Sequence, residues 1–99
     1  MNQLEQARIT IDAIDSQMAA LFEQRMNAVC AVADYKAAQG LPIYDPVREQ
    51  QVLAKNTARI QNPALRPYYA SLLQHQMDLA KQYEAVRMQG TPPADPSDL

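Results

Sequence analysis

From about Leu4 to Gln39 the chain runs without a glycine or a proline, and Ala, Gln, Glu, Leu and Met dominate the stretch. These are good helix formers. The run predicts one helix of roughly 35 residues, ~50 Å long at 1.5 Å per residue. Only two glycines occur in 99 residues, Gly40 and Gly90, and folds rich in strands or loops use many more. The expected class is therefore all-α. Gly40 ends the first helix, and Leu41-Pro42-Ile43-Tyr44 reads as an extended connection. Asp45-Pro46 reads as an N-cap followed by proline in the first helical position. A second helix is expected from Pro46 to about Ile60, stopped by Gln61-Asn62-Pro63. A third is expected from Ala64 or Pro67 to Met88, released by Gln89-Gly90. Residues 1–89 read as one domain. Residues 90–99, with three prolines and no core-forming run, read as a disordered tail.

The long helix is too long for a small globule. A compact domain of this size has a radius of gyration near ~13 Å. Its apolar residues Leu4, Ala7, Ile11, Ile14, Met18, Leu21, Ala28, Val32 and Tyr35 follow alternating spacings of three and four. A seam of that length, with two shorter helices in its own chain, predicts a homodimer of paired long helices.

Charge narrows the function. Nine Lys and Arg stand against eleven Asp and Glu, and two of the acids, Asp95 and Asp98, lie in the tail. A basic nucleic-acid footprint is excluded, as is a polybasic membrane surface. No apolar run is long enough to span a membrane, and no basic-then-apolar leader follows Met1, so the expected setting is the cytoplasm. A lone Cys30 builds neither an intrachain disulfide nor a Cys-rich metal site and is expected to pack. His75 is expected on an exposed face, while Tyr68, Tyr69 and Tyr83 are expected to anchor the third helix.

The informative residues are charges on stripes that should be dry. Arg25 lies on the seam of the first helix. Lys36 is eleven residues further on, which returns it to almost the same face ~16 Å along the axis. Arg8 is ~25 Å from Arg25 along the axis, too far to share its pocket, yet a second chain's Arg8 could reach it. In the second helix, Glu49 falls on the stripe Val52, Leu53, Asn56 and Ile60, where a carboxylate is costly unless something binds it. Arg48 stands in the first turn, against the helix dipole. In the third helix, Glu84 continues the stripe Leu73, Met77, Ala80. Each charge also has a plainer reading: snorkelling stems for the arginines, an Arg48–Asp45 surface pair, and a solvated Glu84 beside Lys81 or Arg87. Taken together, they describe a mostly cationic pocket between helices, suited to a small dicarboxylate. No nucleophile–base pair, phosphate loop or metal cluster accompanies it, so no cofactor and no metal are expected.

The segments LEQARITIDAIDSQMAALFEQR, VADYK, LPIYDPVREQQVL and SLLQHQMDLAKQYE resemble the all-helical (AroQ) chorismate mutases, over residues 4 to about 87. The most specific match is D-x₂-R-E beginning nine residues after Lys36. The resemblance implies an intertwined homodimer with two equivalent sites, each completed by Arg8 of the other chain and lined by Arg25, Lys36, Asp45, Arg48, Glu49, Ala80 and Glu84. It implies the pericyclic conversion of chorismate to prephenate, a step toward phenylalanine and tyrosine that needs no base or covalent intermediate. Arg8, Arg25 and Arg48 would hold the substrate carboxylates, Lys36 and Glu84 would face the ether oxygen, and Glu49 with the Asp45 backbone would take the ring hydroxyl.

Two positions depart from the family pattern. Ala80 stands where many relatives carry serine, and Glu84 where many carry glutamine. An ionised carboxylate would repel a developing oxyanion, so Glu84 is expected to work protonated, with activity declining above neutral pH. Relatives on the same scaffold act as isochorismate pyruvate-lyase or aminodeoxychorismate mutase. A helical dimer without catalysis is the alternative from another class.

Overall fold

The computed structural model describes residues 2–89. It contains three α-helices and one short 3-10 turn: α1 spans Gln3–Gln39, α2 spans Pro46–Thr57, the turn spans Pro63–Leu65, and α3 spans Arg66–Gln89. The fold is all-α, as the sequence predicts. The expected tail, residues 90–99, lies outside the described residues.

Local chemistry sets the boundaries. Asn2 caps α1 by accepting from the Glu5 N–H at 2.8 Å. At the other end Gly40 takes φ 67°, and the Leu41 N–H reaches back to the Lys36 carbonyl at 2.9 Å, which satisfies a carbonyl the helix would otherwise orphan. Asp45 caps α2 through the Arg48 N–H at 3.0 Å, with Pro46 following it. The expected end of α2 at Ile60 is corrected to Thr57. There the backbone tightens into i→i+3 bonds, Arg59 N–H to Asn56 O and Ile60 N–H to Thr57 O, both 3.1 Å. Asn62 then accepts from the Ala64 N–H at 3.1 Å and starts the 3-10 turn that leads into α3. The Arg66 guanidinium donates to the Ile60 carbonyl at 2.9 Å and ties the α2–α3 junction together.

The helices run up, down and up. Asp34 and Lys36 of α1 meet Arg87 and Glu84 of α3, while Phe22 and Arg25 share a hollow with Leu72 and Gln76, so α1 and α3 run side by side in one direction. Glu49 at the start of α2 meets Lys81 of α3, whereas Val52 and Asn56 lie near Tyr69 and Leu73. α2 therefore runs opposite to α3. The connection after α1 returns the chain to the end of α3 where Lys36 and Glu84 sit.

The core is thin. Ala33, Val52, Leu73, Met77 and Ala80 are the buried apolar residues, and Glu84 is buried with them. Asn56 interrupts the α2 stripe at little cost, because its side chain donates to the Val52 carbonyl at 2.9 Å. Residues 3–24 of α1 are exposed, and the molecule extends over 54 Å with a radius of gyration of 16.5 Å. Within the chain, α1 packs through a different line from its long apolar seam. Met26, Val29, Cys30, Ala33 and Lys36 turn inward, while Ile11, Ile14, Met18, Leu21, Val32 and Tyr35 of the seam stay exposed. The exposed apolar residues of α1 also include Ile9 and Phe22, off that seam. No described helix is long and apolar enough to cross a membrane.

His75 is exposed, and Cys30, Tyr69 and Tyr83 are half-buried. Tyr68 is corrected: it is 76% exposed and anchors nothing within the chain, because it points away from the line Leu73–Met77–Ala80 that α3 turns inward.

Candidate active site

Lys36 and Glu84 form the centre. Lys36 stands in the last turn of α1, one turn after Ala33 on the inward-facing line; Glu84 stands one turn after Ala80 on the dry stripe of α3. The ammonium donates to the Ile43 carbonyl at 2.7 Å and lies 3.4 Å from Glu84 Oε1. The Glu84 side chain is only 7% exposed. The contact is an ion pair without hydrogen-bond geometry, and Oε1 has no hydrogen-bond partner among the described residues. A buried carboxylate oxygen in that state is expensive. The plainer reading of Glu84, solvated beside Lys81 or Arg87, is excluded. Lys81 pairs with Glu49 at 2.9 Å, and Arg87 makes two hydrogen bonds, at 2.9 and 3.0 Å, to Asp34. Through them Arg87 holds the exposed Asp34 carboxyl below its usual range.

Glu49 is half-buried at the start of α2. Its carboxylate receives Lys81 on Oε2 and the Gln74 amide on Oε1 at 3.2 Å. Gln74 and Lys81 also meet at Asp78 Oδ1, at 3.1 and 3.3 Å. The Gln74 amide first and the Lys81 ammonium second hold the Asp78 carboxyl below its usual value, and Glu49 is the main cause of a raised Lys81 pKa. The Lys81 ammonium lies 4.7 Å from the centroid of the Tyr44 ring. The sequence showed Glu49 as a charge needing a partner but not this network. Gln74, Asp78 and Lys81 are spaced i, i+4, i+7 on one helix face, which was visible; their convergence on α2 was not.

The other site residues are not yet gathered. Ala80 is buried one turn before Glu84. Asp45 uses its side chain as the α2 cap and its carbonyl for the Glu49 N–H at 3.0 Å. Asp45 thus meets Arg48 through the backbone N–H alone, and the surface pair between their side chains is excluded. Arg25 is half-buried and borders an open, largely apolar hollow of about 600 Å³ shared with Phe22, Val52, Leu72 and Leu73. Arg48 is exposed in the first turn of α2, and Arg8 is exposed on the free half of α1. Among the described residues, Arg8, Arg25 and Arg48 form no ion pair. Within one chain these three guanidiniums are uncommitted, and Arg8 stands 28 residues before Lys36 on the same helix, far from the Lys36–Glu84 pair.

The sequence model of one family, chorismate mutase type II, matches residues 7–85. The chain belongs to that family. The match opens one residue before Arg8 and closes one after Glu84, so it includes every residue of the candidate site. Comparison with curated proteins and with solved structures gives no match.

Proposed function

We propose that the protein is a chorismate mutase, converting chorismate to prephenate on the branch that leads to phenylalanine and tyrosine, and that it works in the cytoplasm as a homodimer. The observation that carries this reading is the buried Lys36–Glu84 pair with an oxygen left unbonded. The reaction is an intramolecular shift in which the ether C–O bond breaks as a new C–C bond forms, so no atom enters or leaves. The protein must hold the enolpyruvyl arm over the ring and stabilise charge growing on the ether oxygen.

Lys36 spends one N–H on Ile43 and directs another toward Glu84; an ammonium has three, so one remains for the ether oxygen. Glu84, working in its protonated form, donates to the same oxygen from the opposite helix. Arg25 and Arg48 take the substrate carboxylates together with the partner's Arg8, and Glu49 with the Asp45 backbone N–H takes the ring hydroxyl. Ala80 brings no hydrogen bond, so the substrate loses there the contact that a serine would make.

The exposed seam of α1 supports the dimer. Pairing two such helices covers Ile11, Ile14, Met18 and Leu21 and closes the hollow beside Arg25. Arg8 lies on the same free half, where it can enter the other chain's pocket.

The test is the loss of chorismate absorbance with purified protein, followed by product identification. Prephenate is the expected product. Salicylate and pyruvate formed from isochorismate would assign the lyase reaction instead, and turnover of aminodeoxychorismate alone would assign that mutase. No turnover of any of the three leaves a helical dimer without catalysis.

A further inference from the structure

The reaction asks nothing of Lys81, yet Lys81 is the most connected charge among the described residues. It bridges two carboxylates, Glu49 at 2.9 Å and Asp78 at 3.3 Å, and lies against the Tyr44 ring. Gln74 closes the figure by donating to the same two acids. Glu49 sits on α2, whereas Gln74, Asp78 and Lys81 sit on α3, so α3 grips the Glu49 carboxylate by both oxygens. An unheld glutamate at the start of a helix samples several rotamers, and ordering it on arrival of a substrate would weaken binding.

We propose that Lys81, braced by Asp78 and Gln74 and covered by Tyr44, is a positioning residue that fixes Glu49 to accept the ring hydroxyl of the substrate, and so sets selectivity for a hydroxylated ring. The inference rests on the chorismate reading. Each carboxylate oxygen accepts two hydrogen bonds; Lys81 and Gln74 take one on each, which leaves Glu49 able to receive an O–H while its rotamer is held. The bracing is electrostatically consistent as well. One ammonium between two carboxylates leaves a net negative cluster, suited to accepting a hydroxyl proton donor and unsuited to the substrate carboxylates, which are left to the arginines. The two ends of the substrate are thereby told apart.

The experiment compares kcat and KM for chorismate and for the analogue carrying hydrogen in place of the ring hydroxyl, in wild type, Lys81→Met, Lys81→Arg and Gln74→Met. A hydrogen bond to a charged group gives the wild type a preference for chorismate of about 10- to 100-fold. In Lys81→Met the preference falls by about tenfold, chiefly through a higher KM for chorismate with kcat little changed, as loss of ground-state binding requires. Lys81→Arg restores most of the preference, and Gln74→Met loses a smaller part of it. A folded Lys81→Met with an unchanged preference overturns the proposal even if both KM values rise, because a lysine binding a carboxylate directly, or merely stabilising the fold, would affect both substrates alike. Should circular dichroism show Lys81→Met unfolded, Gln74→Met decides, and an unchanged preference there overturns it equally. A wild type that does not turn over chorismate removes the functional reading and this inference together; a wild type that does, with an unchanged preference in the variants, removes only this inference.

Discussion

Replacing Lys36 by methionine keeps the length of its stem and removes the positive charge that lies 3.4 Å from Glu84. The pair is separated by 3.4 Å, with side chains 18% and 7% exposed. At an effective dielectric constant of ~20, that separation corresponds to about 5 kcal/mol of attraction, most of it offset by the cost of taking both groups out of water. Removing one member strands the other, and a stranded buried charge costs about 3–5 kcal/mol. Lys36 also holds Ile43, whose carbonyl would lose its 2.7 Å donor, so Lys36→Met is expected to cost at least about 3 kcal/mol. Glu84→Gln behaves differently. It removes the charge from the drier side and leaves Lys36 on the Ile43 carbonyl, which gives a loss of about 1 kcal/mol. The double variant should therefore be more stable than Lys36→Met alone, with a coupling of about 2 kcal/mol between the sites. Urea unfolding of the four proteins measures this, at one fixed protein concentration because assembly would raise apparent stability. A Lys36→Met loss below about 0.5 kcal/mol, or additive losses in the double variant, would refute the reasoning, since either outcome means that the pair is not a buried ion pair.

Three further outcomes follow from the same geometry. If Glu84 works protonated, wild-type kcat/KM declines as pH rises above neutral while the Glu84→Gln profile stays flat; two equally flat profiles exclude the protonated role. Gly40→Ala should lower thermal stability by about 1 kcal/mol, because φ is 67° and a Cβ there meets nothing within 4 Å, so backbone conformation is the whole cost. Asp34→Asn should lower Tm slightly at pH 7: Arg87 depresses the folded-state pKa of Asp34, so the contribution is present above the unfolded value and is lost as pH falls through the folded one. The gap between the two Tm values should close in acid, and a gap that stays constant below the usual carboxylate range contradicts that assignment.

Helix identity and order were legible because their signals are local. Gly40, Asp45-Pro46 and Asn62-Pro63 each act within a few residues, and the caps form where those residues stand. The end of α2 was misplaced by three residues for the same reason. Nothing between Thr57 and Ile60 breaks a helix by composition, and the turn there is fixed by Arg66 reaching the Ile60 carbonyl from the next element. The candidate site was legible as anomalies, charges at Glu49 and Glu84 on apolar stripes. Their partners were less so. Whether Glu84 would face Lys36, Lys81 or Arg87 depended on the relative rotation of α1 and α3, which helical periodicity does not give. The seam was read from spacing alone, and spacing could not say that α1 would present Ala33 and Lys36 to its own chain and keep Ile11, Ile14 and Leu21 outside.

In the proposed function, catalysis needs Lys36 of one chain and Arg8 of another. Arg8→Ala and Lys36→Ala should each disable every site in their own homodimers. Mixed and allowed to exchange subunits, they place both lesions in one site of each heterodimer and leave the other site intact. Chorismate turnover should therefore reappear, approaching one quarter of the wild-type rate per chain at equal mixing, since half the dimers are mixed and each has one working site. No recovery, with subunit exchange verified, would contradict a pocket shared between two chains.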